Sequence, residues 1–177
     1  MNNTPTKKKN DGQESTQLNI AHEALWSRPG FLVRRLHQIH IAMFLEECAG
    51  FNITPVQFGL LTILQHVPGI DQATLGAETG IDRTNVADVL TRLEKIKFIR
   101  RITNPKDRRM RLVTITRKGE AFIEKTQSRV EKAQQRLLEP LSSNDQAKFL
   151  SLLRKLIEAN NHSGRAPLRT KSHTGSK

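Results

Sequence analysis

The sequence predicts a mostly α-helical fold that carries one small β-hairpin. Apolar residues recur at three- and four-residue steps over most of the chain, and helix-capping residues stand before those stretches. Two short runs rich in β-branched residues flank one turn-rich loop. With 177 residues, of which 36% are hydrophobic, the chain has room for one domain with a modest core.

The charge of the chain favours a polyanionic partner. The net formal charge is +12 and the pI is near 10.5, which points to nucleic acid or an anionic membrane more than to a small neutral substrate. Residues 83–118 hold twelve Lys or Arg and three Asp or Glu, whereas the rest of the stretch 18–160 has a net charge of −2. Such a concentration of positive charge in one segment is harder to explain as an aid to general solubility than as part of a binding surface.

Several classes of protein are not expected. No apolar run approaches the roughly 20 residues that span a bilayer, and the N-terminus lacks the hydrophobic core of a signal peptide, so a cytoplasmic protein is predicted. The single cysteine, Cys48, cannot form an intrachain disulfide, and no Cys/His spacing resembles a zinc framework. Without a Gly-rich phosphate loop, a nucleophile elbow or a supported pair of carboxylates, neither an enzyme nor a cofactor is expected.

Both ends of the chain are predicted to be disordered tails. Residues 1–17 are polar and lack large apolar side chains, and residues 161–177 mix Gly, Pro and Ser with basic residues. Neither stretch has enough apolar surface to offset the entropy of ordering it.

Two helices are expected in the first third of the chain. The first begins at Ser27, with Pro29 in its first turn, and runs to about Cys48. Its apolar residues recur at helical steps: Leu32, Leu36, Ile39, Met43 and Phe44. The second begins at the capping box of residues 54–57 and ends near Pro68. Its core-facing residues are expected to be Phe58, Leu61 and Leu64.

Two shorter helices follow across a tight turn. Asp71 is a good cap for a helix over 72–79, and Gly80 supplies the left-handed residue that ends it. Asp82 then caps the next helix. This arrangement predicts a helix-turn-helix.

The second of these helices is amphipathic. Its apolar stripe consists of Val86, Val89, Leu90, Leu93 and Ile96. Its polar residues, mostly off that stripe, are Thr84, Asn85, Asp88, Thr91, Arg92 and Lys95. Such side chains are able to meet base edges and phosphates, although a plain solvated face is the alternative.

A basic β-hairpin is predicted directly after the helix-turn-helix. Residues 99–103 and 111–115 have β-type patterns and flank the loop 104–109. A helix-turn-helix followed by such a hairpin defines a winged helix, in which the hairpin is the wing.

Two long helices complete the chain. Thr116 is placed to cap a helix through about Glu139, which Pro140 ends, and residues 142–145 cap the last helix. The apolar stripe of the last helix consists of Phe149, Leu152, Leu153, Leu156 and Ile157.

The hairpin motif Asp107-x-Arg109-x5-Ile115-Thr116 resembles the wing motif of the MarR family of bacterial transcription regulators, with Ile in place of the usual Leu. Residues 79–101, TGIDRTNVADVLTRLEKIKFIRR, are similar to the family's recognition helix and the strand after it. The resemblance covers roughly residues 28–160, nearly all of the chain that is expected to be ordered.

The resemblance implies a homodimer that reads a pseudo-palindromic operator with its two recognition helices about 10 base pairs apart. Residues 18–160 would form the MarR-like winged helix domain. Within it, residues 28–50 and 117–160 would be intertwined dimerisation helices, and residues 54–116 the DNA-binding lobe. The predicted fold is therefore a winged helix-turn-helix with flanking N- and C-terminal dimerisation helices.

The candidate DNA contacts lie on the recognition helix and the wing. They are Thr84, Asn85, Asp88, Thr91, Arg92, Lys95, Arg100, Lys106, Asp107, Arg108 and Arg109. By donor and acceptor geometry, Asn85 suits adenine and Arg92 suits guanine or phosphate. Arg108 or Arg109 is expected to enter a narrow minor groove, with Asp107 pairing with a neighbouring arginine to stiffen the tip. Three basic residues are expected near the DNA backbone: Lys106, Arg100 and Arg101.

MarR-like proteins commonly bind small aromatic or anionic ligands between the first helix, the second helix and the winged domain. The stretch 25–40, LWSRPGFLVRRLHQIH, resembles the family's repressors of aromatic-acid catabolism. The candidate ligand residues are Trp26, Arg34, His37, His40, Phe44 and Phe58. An arginine and a histidine would bind a carboxylate or ring hydroxyl, and aromatic side chains would stack on the ring. The alternative is that these residues serve a dimer interface or face solvent.

Three other functions are compatible with the sequence. Charge and basic tails alone would suit a non-specific, nucleoid-type DNA-binding protein. His37 and His40 are spaced for a metal, but no third ligand is placed convincingly beside them. Cys48 raises the possibility of a thiol sensor, yet Glu46 and Glu47 before it should raise the pKa of the thiol.

Overall fold

The computed structural model describes residues 8–164 and 166–168, with side chains from residue 15 onward. Along the chain the elements are α1 (Lys8–Trp26), α2 (Pro29–Glu47), α3 (Pro55–His66), β1 (Ile70–Asp71), α4 (Gln72–Thr79), α5 (Arg83–Lys95), β2 (Ile99–Thr103), β3 (Arg111–Ile115), α6 (Arg117–Leu138), α7 (Ser143–Asn160) and a 3-10 turn at Asn161–Ser163. The chain divides into two units within α2, between Ala42 and Met43. The predicted mostly α-helical fold is confirmed.

The N-terminal unit differs from the sequence-based expectation in two places. Helix α1 begins at Lys8, within the stretch 1–17 that the sequence predicts to be a disordered tail, while residues 1–7 lie outside the described part of the chain. Once a helix has formed over the more apolar stretch 18–26, extending it by one residue costs far less than nucleating it. Ser27 was predicted to start the next helix, but its Oγ donates to the carbonyl of Ala24 in α1, and α2 begins at Pro29.

The winged lobe in the second unit is organised around a continuous apolar core. Its most buried side chains come from α3, α4, α5 and β3: Leu60, Leu61, Leu64, Leu75, Val86, Leu90, Leu93 and Val113. Burying one such side chain contributes about 1.5–3 kcal/mol. The predicted capping box starts α3, with Gln57 N–H donating to Thr54 Oγ1 and Thr54 N–H donating to Gln57 Oε1.

The helix-turn-helix has the caps that the sequence predicts. Asp71 Oδ1 accepts from the N–H of Thr74 at the start of α4. Gly80 ends α4 with a φ of 65°, a left-handed conformation that glycine adopts without strain. Asp82 then accepts from the first turn of α5, which fixes the direction in which α5 leaves the turn.

The wing is confirmed as an antiparallel pair of strands, in which Ile99 is opposite Ile115 and Thr103 is opposite Arg111. The sheet nevertheless has three strands in the order β1-β3-β2, because Ile70 pairs with Val113 on the other edge of β3. A two-residue strand has too little periodicity to be recognised in a sequence.

The start of α6 packs tightly against the base of the wing. Thr116 caps the helix as predicted, because its Oγ1 accepts from the N–H of Gly119. The same hydroxyl donates to the carbonyl of Lys97. A Cβ on Gly119 would overlap the carbonyl oxygen of Phe98 and would lie 2.8 Å from Ile115 Cγ1. Only glycine fits this approach without a shift of backbone.

The end of the chain also departs from prediction. Beyond α7, the Asn161 side chain forms hydrogen bonds with the backbone of Leu168, within the stretch 161–177 that the sequence predicts to be a disordered tail. The signal was a single large apolar residue, Leu168, in a stretch otherwise rich in Gly, Ser and basic residues. Residues 165 and 169–177 lie outside the described part of the chain.

Candidate nucleic-acid interface

The predicted DNA-contacting side chains are all exposed on α5 and the wing. The set comprises Thr84, Asn85, Asp88, Thr91, Arg92, Lys95, Arg100, Lys106, Asp107, Arg108 and Arg109. On α5 they lie opposite the buried Val86, Leu90 and Leu93, so the packing of α5 on the lobe leaves its polar face in solvent.

Asn85 is held by the residue that caps its helix. Its backbone N–H donates to Asp82 Oδ1, and its side-chain Nδ2 donates to Asp82 Oδ2. An asparagine amide has two N–H donors and a carbonyl acceptor, so one donor and the oxygen are still available to pair with a base edge. Adenine contact by Asn85 stays a prediction, now with a side chain whose orientation is restrained.

The structure gives Arg101 a role that the sequence did not predict. Its backbone N–H donates to Glu94 Oε1 at 3.0 Å, and its Nε and Nη2 donate to Glu94 Oε2 at 2.9 and 2.6 Å. The Arg101 guanidinium is turned onto α5 and is only 22% exposed, and its contact with the DNA backbone stays a prediction. These bonds tie the first strand of the wing to the recognition helix.

The same network reaches Thr91, a predicted DNA contact. Its Oγ1 donates to the carbonyl of Ala87 and accepts from Arg101 Nη2. The hydrogen bonds from Arg101 also lower the pKa of the Glu94 carboxyl, against the opposing effect of its partial burial. Glu94 is thus ionised at neutral pH and binds Arg101 as a charged partner.

The tip of the wing is a compact turn with its basic side chains outward. Asp107 Oδ1 accepts from the N–H of Arg109 at 2.9 Å, and the carbonyl of Asp107 accepts from the N–H of Met110. Asn104 Oδ1 similarly accepts from the N–H of Lys106. Asp107 was predicted to pair with an arginine side chain; among the described residues its carboxylate instead bonds the backbone of the tip. It still stiffens the tip, through a short-range turn.

A small cleft lies between the wing and the starts of α4 and α5. It has a volume of about 160 Å³, and its lining includes Arg83, Arg109, Arg111 and Asp71. The structure thereby brings Arg109 of the wing close to Arg83, the first residue of α5. Arg83 and Arg111 were absent from the predicted DNA-contacting set, although a basic residue directly after the cap of a recognition helix was a usable signal.

Part of the predicted ligand set is assembled around Phe31 in the N-terminal unit. The Trp26 ring lies 6.2 Å from the Phe31 ring, and the Arg34 guanidinium lies 5.4 Å from the same ring, in a cation–π arrangement. The rings of His37 and His40 are 6.4 Å apart. Burial, and the nearby charge of His37, lower the pKa of His40. His40 therefore favours the neutral form, which suits a hydrogen bond more than a charge pair.

Phe44 and Phe58, also predicted to contact ligand, belong to the hydrophobic core of the second unit. They are 1% and 8% exposed, and their rings meet edge to face at 6.5 Å. Their role in ligand binding stays a prediction, and their role in packing is plain.

Ion pairs connect the end of α2 to α6. Arg136 donates to Glu47 Oε1 at 2.6 Å and to Glu46 Oε2 at 3.1 Å, and Lys132 lies 3.1 Å from Glu47 Oε2. Hydrogen bonds from Lys132 and Arg136 lower the pKa of Glu47. The adjacent Cys48 is 3% exposed, and burial together with the charge of Glu47 raises the pKa of its thiol. Such a thiol is a poor nucleophile at neutral pH.

Within the described residues, no three His, Cys, Asp or Glu side chains are grouped so that they could hold a metal ion. Over the same part of the chain, none of the helices is both long and apolar enough to cross a bilayer.

The sequence and the fold are similar to those of known proteins. The MarR family model matches residues 53–110. The chain is 26% identical over 135 residues to the transcriptional repressor NicR of Pseudomonas putida, covering 76% of this chain and 85% of NicR. These matches confirm the expectation that the chain is a regulator rather than an enzyme.

Two solved structures are also similar. The PcaV transcriptional regulator of Streptomyces coelicolor, in complex with its natural ligand, is 32% identical with a TM-score of 0.73, covering 76% of this chain and 95% of PcaV. BpsR of Bordetella bronchiseptica, whose DNA binding is regulated by 6-hydroxynicotinic acid, is 30% identical with a TM-score of 0.70, covering 73% of this chain and 93% of BpsR. With the exposed polar face of α5 and the basic wing beside it, these matches identify the chain as a member of the MarR family of transcriptional regulators.

Proposed function

We propose that this MarR-family regulator is a homodimeric repressor that binds a pseudo-palindromic operator and is released by a small aromatic acid. One observation carries the DNA-binding part of this proposal. The exposed polar face of α5 and the arginine-bearing wing are joined by the bonds between Glu94 and Arg101, so they form a single reading surface. Base contacts would come from α5 in the major groove, and Arg109 would enter the flanking minor groove.

The distribution of charge supports DNA binding by the same surface. The twelve basic residues of the segment 83–118 face only three acids, and two of those acids, Glu94 and Asp107, are engaged in holding the recognition helix and the wing in shape. Neutralising several phosphates with this segment would supply most of the affinity for DNA of any sequence. Specificity would then rest on a few side chains of α5, of which Asn85 and Arg92 are the strongest candidates.

Apolar surface supports the homodimer. On α7, the side chains of Leu152, Leu156 and Ile157 are 51%, 59% and 52% exposed, and α1 leaves Leu18 and Ile20 more than 60% exposed. Soluble proteins rarely leave such apolar helix faces in water, and a second copy of the chain would cover them. A two-fold dimer would also present two reading surfaces to a palindromic site.

The ligand class is inferred from the N-terminal unit and from the relatives. Arg34 above the Phe31 ring offers a cation next to aromatic surface, and His37 and His40 add hydrogen-bonding groups on the same helix. BpsR, whose DNA binding is regulated by 6-hydroxynicotinic acid, favours a small aromatic carboxylate. Such a ligand must bind the DNA-free conformation more tightly, since otherwise it could not shift the equilibrium.

Fluorescence anisotropy with labelled DNA from upstream of the protein's own gene tests the regulatory function. We expect tight binding there, and binding to random DNA weaker by at least about 10³-fold. Arg109→Ala should weaken operator binding sharply, whereas the matched control Arg154→Ala, on α7, should not. Failure to bind any nearby intergenic DNA at moderate salt contradicts the proposal. Equal affinity for operator and random DNA would favour a nucleoid-type protein instead.

A thermal-shift series with benzoate, 4-hydroxybenzoate and 6-hydroxynicotinic acid tests the ligand class. A binding acid should raise the unfolding temperature and release the operator at similar concentrations. Arg34→Ala and His37→Ala should keep DNA affinity and blunt the release. A full response from both variants would place the ligand site elsewhere.

A further inference from the structure

The small cleft between the wing and the starts of α4 and α5 has an excess of positive charge. Its lining contains three exposed arginines, Arg83, Arg109 and Arg111, and one acid, Asp71. The carboxylate of Asp71 is engaged by Thr74, because Oδ1 accepts from the N–H of Thr74 and Oδ2 accepts from its hydroxyl. The cleft therefore favours an anionic ligand.

The arginines of this cleft keep most of their hydrogen-bond donors available. Arg111 Nη1 donates to Thr103 Oγ1 at 2.8 Å, which holds the Arg111 side chain across the two strands of the wing. Within the described residues, the side chains of Arg83 and Arg109 form no ion pair, whereas Arg101 is ion-paired. A guanidinium carries five N–H donors, so these groups can bind several oxygens of one anion.

The size of the cleft limits what that anion is. Pockets for drug-sized ligands have volumes of about 300–1,000 Å³. This cleft has about 160 Å³, which suits a single compact group rather than a whole molecule of that kind. Phosphate is such a group, and the planar fork of a guanidinium matches two of its oxygens at once.

The cleft lies where the proposed DNA complex needs a contact. In that complex α5 occupies the major groove and Arg109 enters the flanking minor groove. In a duplex, a major groove and the minor groove next to it are separated by one sugar-phosphate strand. That strand must pass between the start of α5 and the tip of the wing. The cleft occupies this position, since Arg83 is the first residue of α5 and Arg109 belongs to the tip.

We propose that this cleft binds one backbone phosphate of the strand that separates the two grooves, through Arg83 of α5 and Arg111 of the wing. The site adds two residues to the DNA contacts predicted from the sequence, and it rests on the proposed operator binding. It reads no base, but it fixes the register of α5 and the wing on the duplex. A free phosphate ion has the same oxygens, but the rest of the interface presents the DNA phosphate at a high effective concentration.

Operator titration at several salt concentrations tests the contact. The test variant is Arg83→Gln with Arg111→Gln, and the matched charge control is Arg154→Gln with Lys155→Gln, two exposed residues of α7. A homodimer has two such clefts, so the test variant should lose about 1.8 from the magnitude of the salt slope. Its affinity should fall by about thirtyfold at about 0.15 M salt. The control should keep the wild-type slope and affinity.

A scan of the operator with uncharged methylphosphonate locates the phosphate. Each backbone phosphate is replaced in turn, and the affinities of the wild type and of the test variant are measured. At one position in each half-site, the replacement should weaken wild-type binding by about fivefold and should have little effect on the test variant. If every replacement weakens both proteins equally, the assignment of a phosphate to this cleft is wrong.

The remaining outcomes separate the cleft from the proposed function. An unchanged salt slope in the test variant, or an equal loss in the control, overturns the cleft contact while leaving operator binding intact. If circular dichroism shows that the test variant unfolds, Arg83→Gln alone repeats the scan. Inorganic phosphate should change the unfolding temperature no more than chloride at equal ionic strength, and a rise that needs Arg83 and Arg111 would assign the cleft to free anions instead. Absence of specific operator binding by the wild type refutes the proposed function itself.

Discussion

Replacing Glu94 by Gln tests whether the wing and the recognition helix form one unit. The substitution keeps the size of the side chain, but it places an amide opposite the Nε and Nη2 donors of Arg101, which now lie 2.9 and 2.6 Å from Glu94 Oε2. Hydrogen bonds to a charged partner contribute about 1.5–3 kcal/mol. Glu94 is 37% exposed, and solvent screening reduces that figure, so we expect the free energy of unfolding to fall by about 1–2 kcal/mol.

The effect of Glu94→Gln on stability should depend on pH in one direction. Because Arg101 lowers the pKa of Glu94, the carboxylate contributes stability above the ordinary carboxyl range, and the contribution is lost as pH falls through the lowered pKa. The difference in the free energy of unfolding between wild type and Glu94→Gln should therefore be largest near pH 7, and it should shrink well below about pH 4.

Urea unfolding followed by far-UV circular dichroism measures the difference, at one fixed protomer concentration because a dimer's stability depends on it. Tryptophan fluorescence is unsuitable, since Trp26 lies outside the winged lobe. Glu124→Gln, an exposed α6 residue without an ion pair among the described residues, is the matched control. If Glu94→Gln lowers the free energy of unfolding by less than about 0.5 kcal/mol near pH 7, or by the same amount in acid, the coupling of the wing to the recognition helix is refuted.

Three further outcomes are expected. Gly119→Ala should destabilise the lobe by at least about 1–3 kcal/mol in the same urea assay, because its Cβ has no room beside Phe98; wild-type stability would mean that the backbone there yields easily. Asn85→Ala should relax the base preference by about 1–3 kcal/mol at one position of each half-site, measured by titrating a set of single-base operator variants. Cys48→Ser should leave operator release by peroxide as weak as in the wild type, because the buried thiol has a raised pKa. Strong peroxide release that disappears in the serine variant would restore the thiol-sensor alternative.

Local chemistry explains why so much of the lobe was predictable. Asp71, Gly80 and Asp82 each perform the capping role that their residue type favours, and the capping box at Thr54 forms as its spacing requires. The apolar residues of α5 recur at three- and four-residue steps, and this spacing places Val86, Leu90 and Leu93 in the core. These features depend on residues within a few positions of one another, which a sequence displays directly.

The features that were not predicted from the sequence depend on residues that are distant along the chain or too few to form a pattern. Strand β1 has two residues and exists because β3 lies beside it. Arg101 looked like one more base in a basic run, and only the packing of β2 on α5 turns it onto Glu94. The candidate ligand residues divide in a similar way, since Phe44 and Phe58 pack into the core of the second unit while Arg34 stacks on Phe31 in the first.

The family, the order of the helices, the wing and the concentration of positive charge around it can be read from the sequence, because periodicity, caps and charge are local properties. Only the tertiary structure shows which of those charged side chains are held by other groups of the lobe. Arg101 is held by Glu94, and the carboxylate of Asp107 bonds the backbone at Arg109. Leu168 likewise contacts Gly80 across 88 positions of the chain. Such contacts arise when separate elements pack together, and their geometry is set by the whole lobe rather than by any one stretch of sequence.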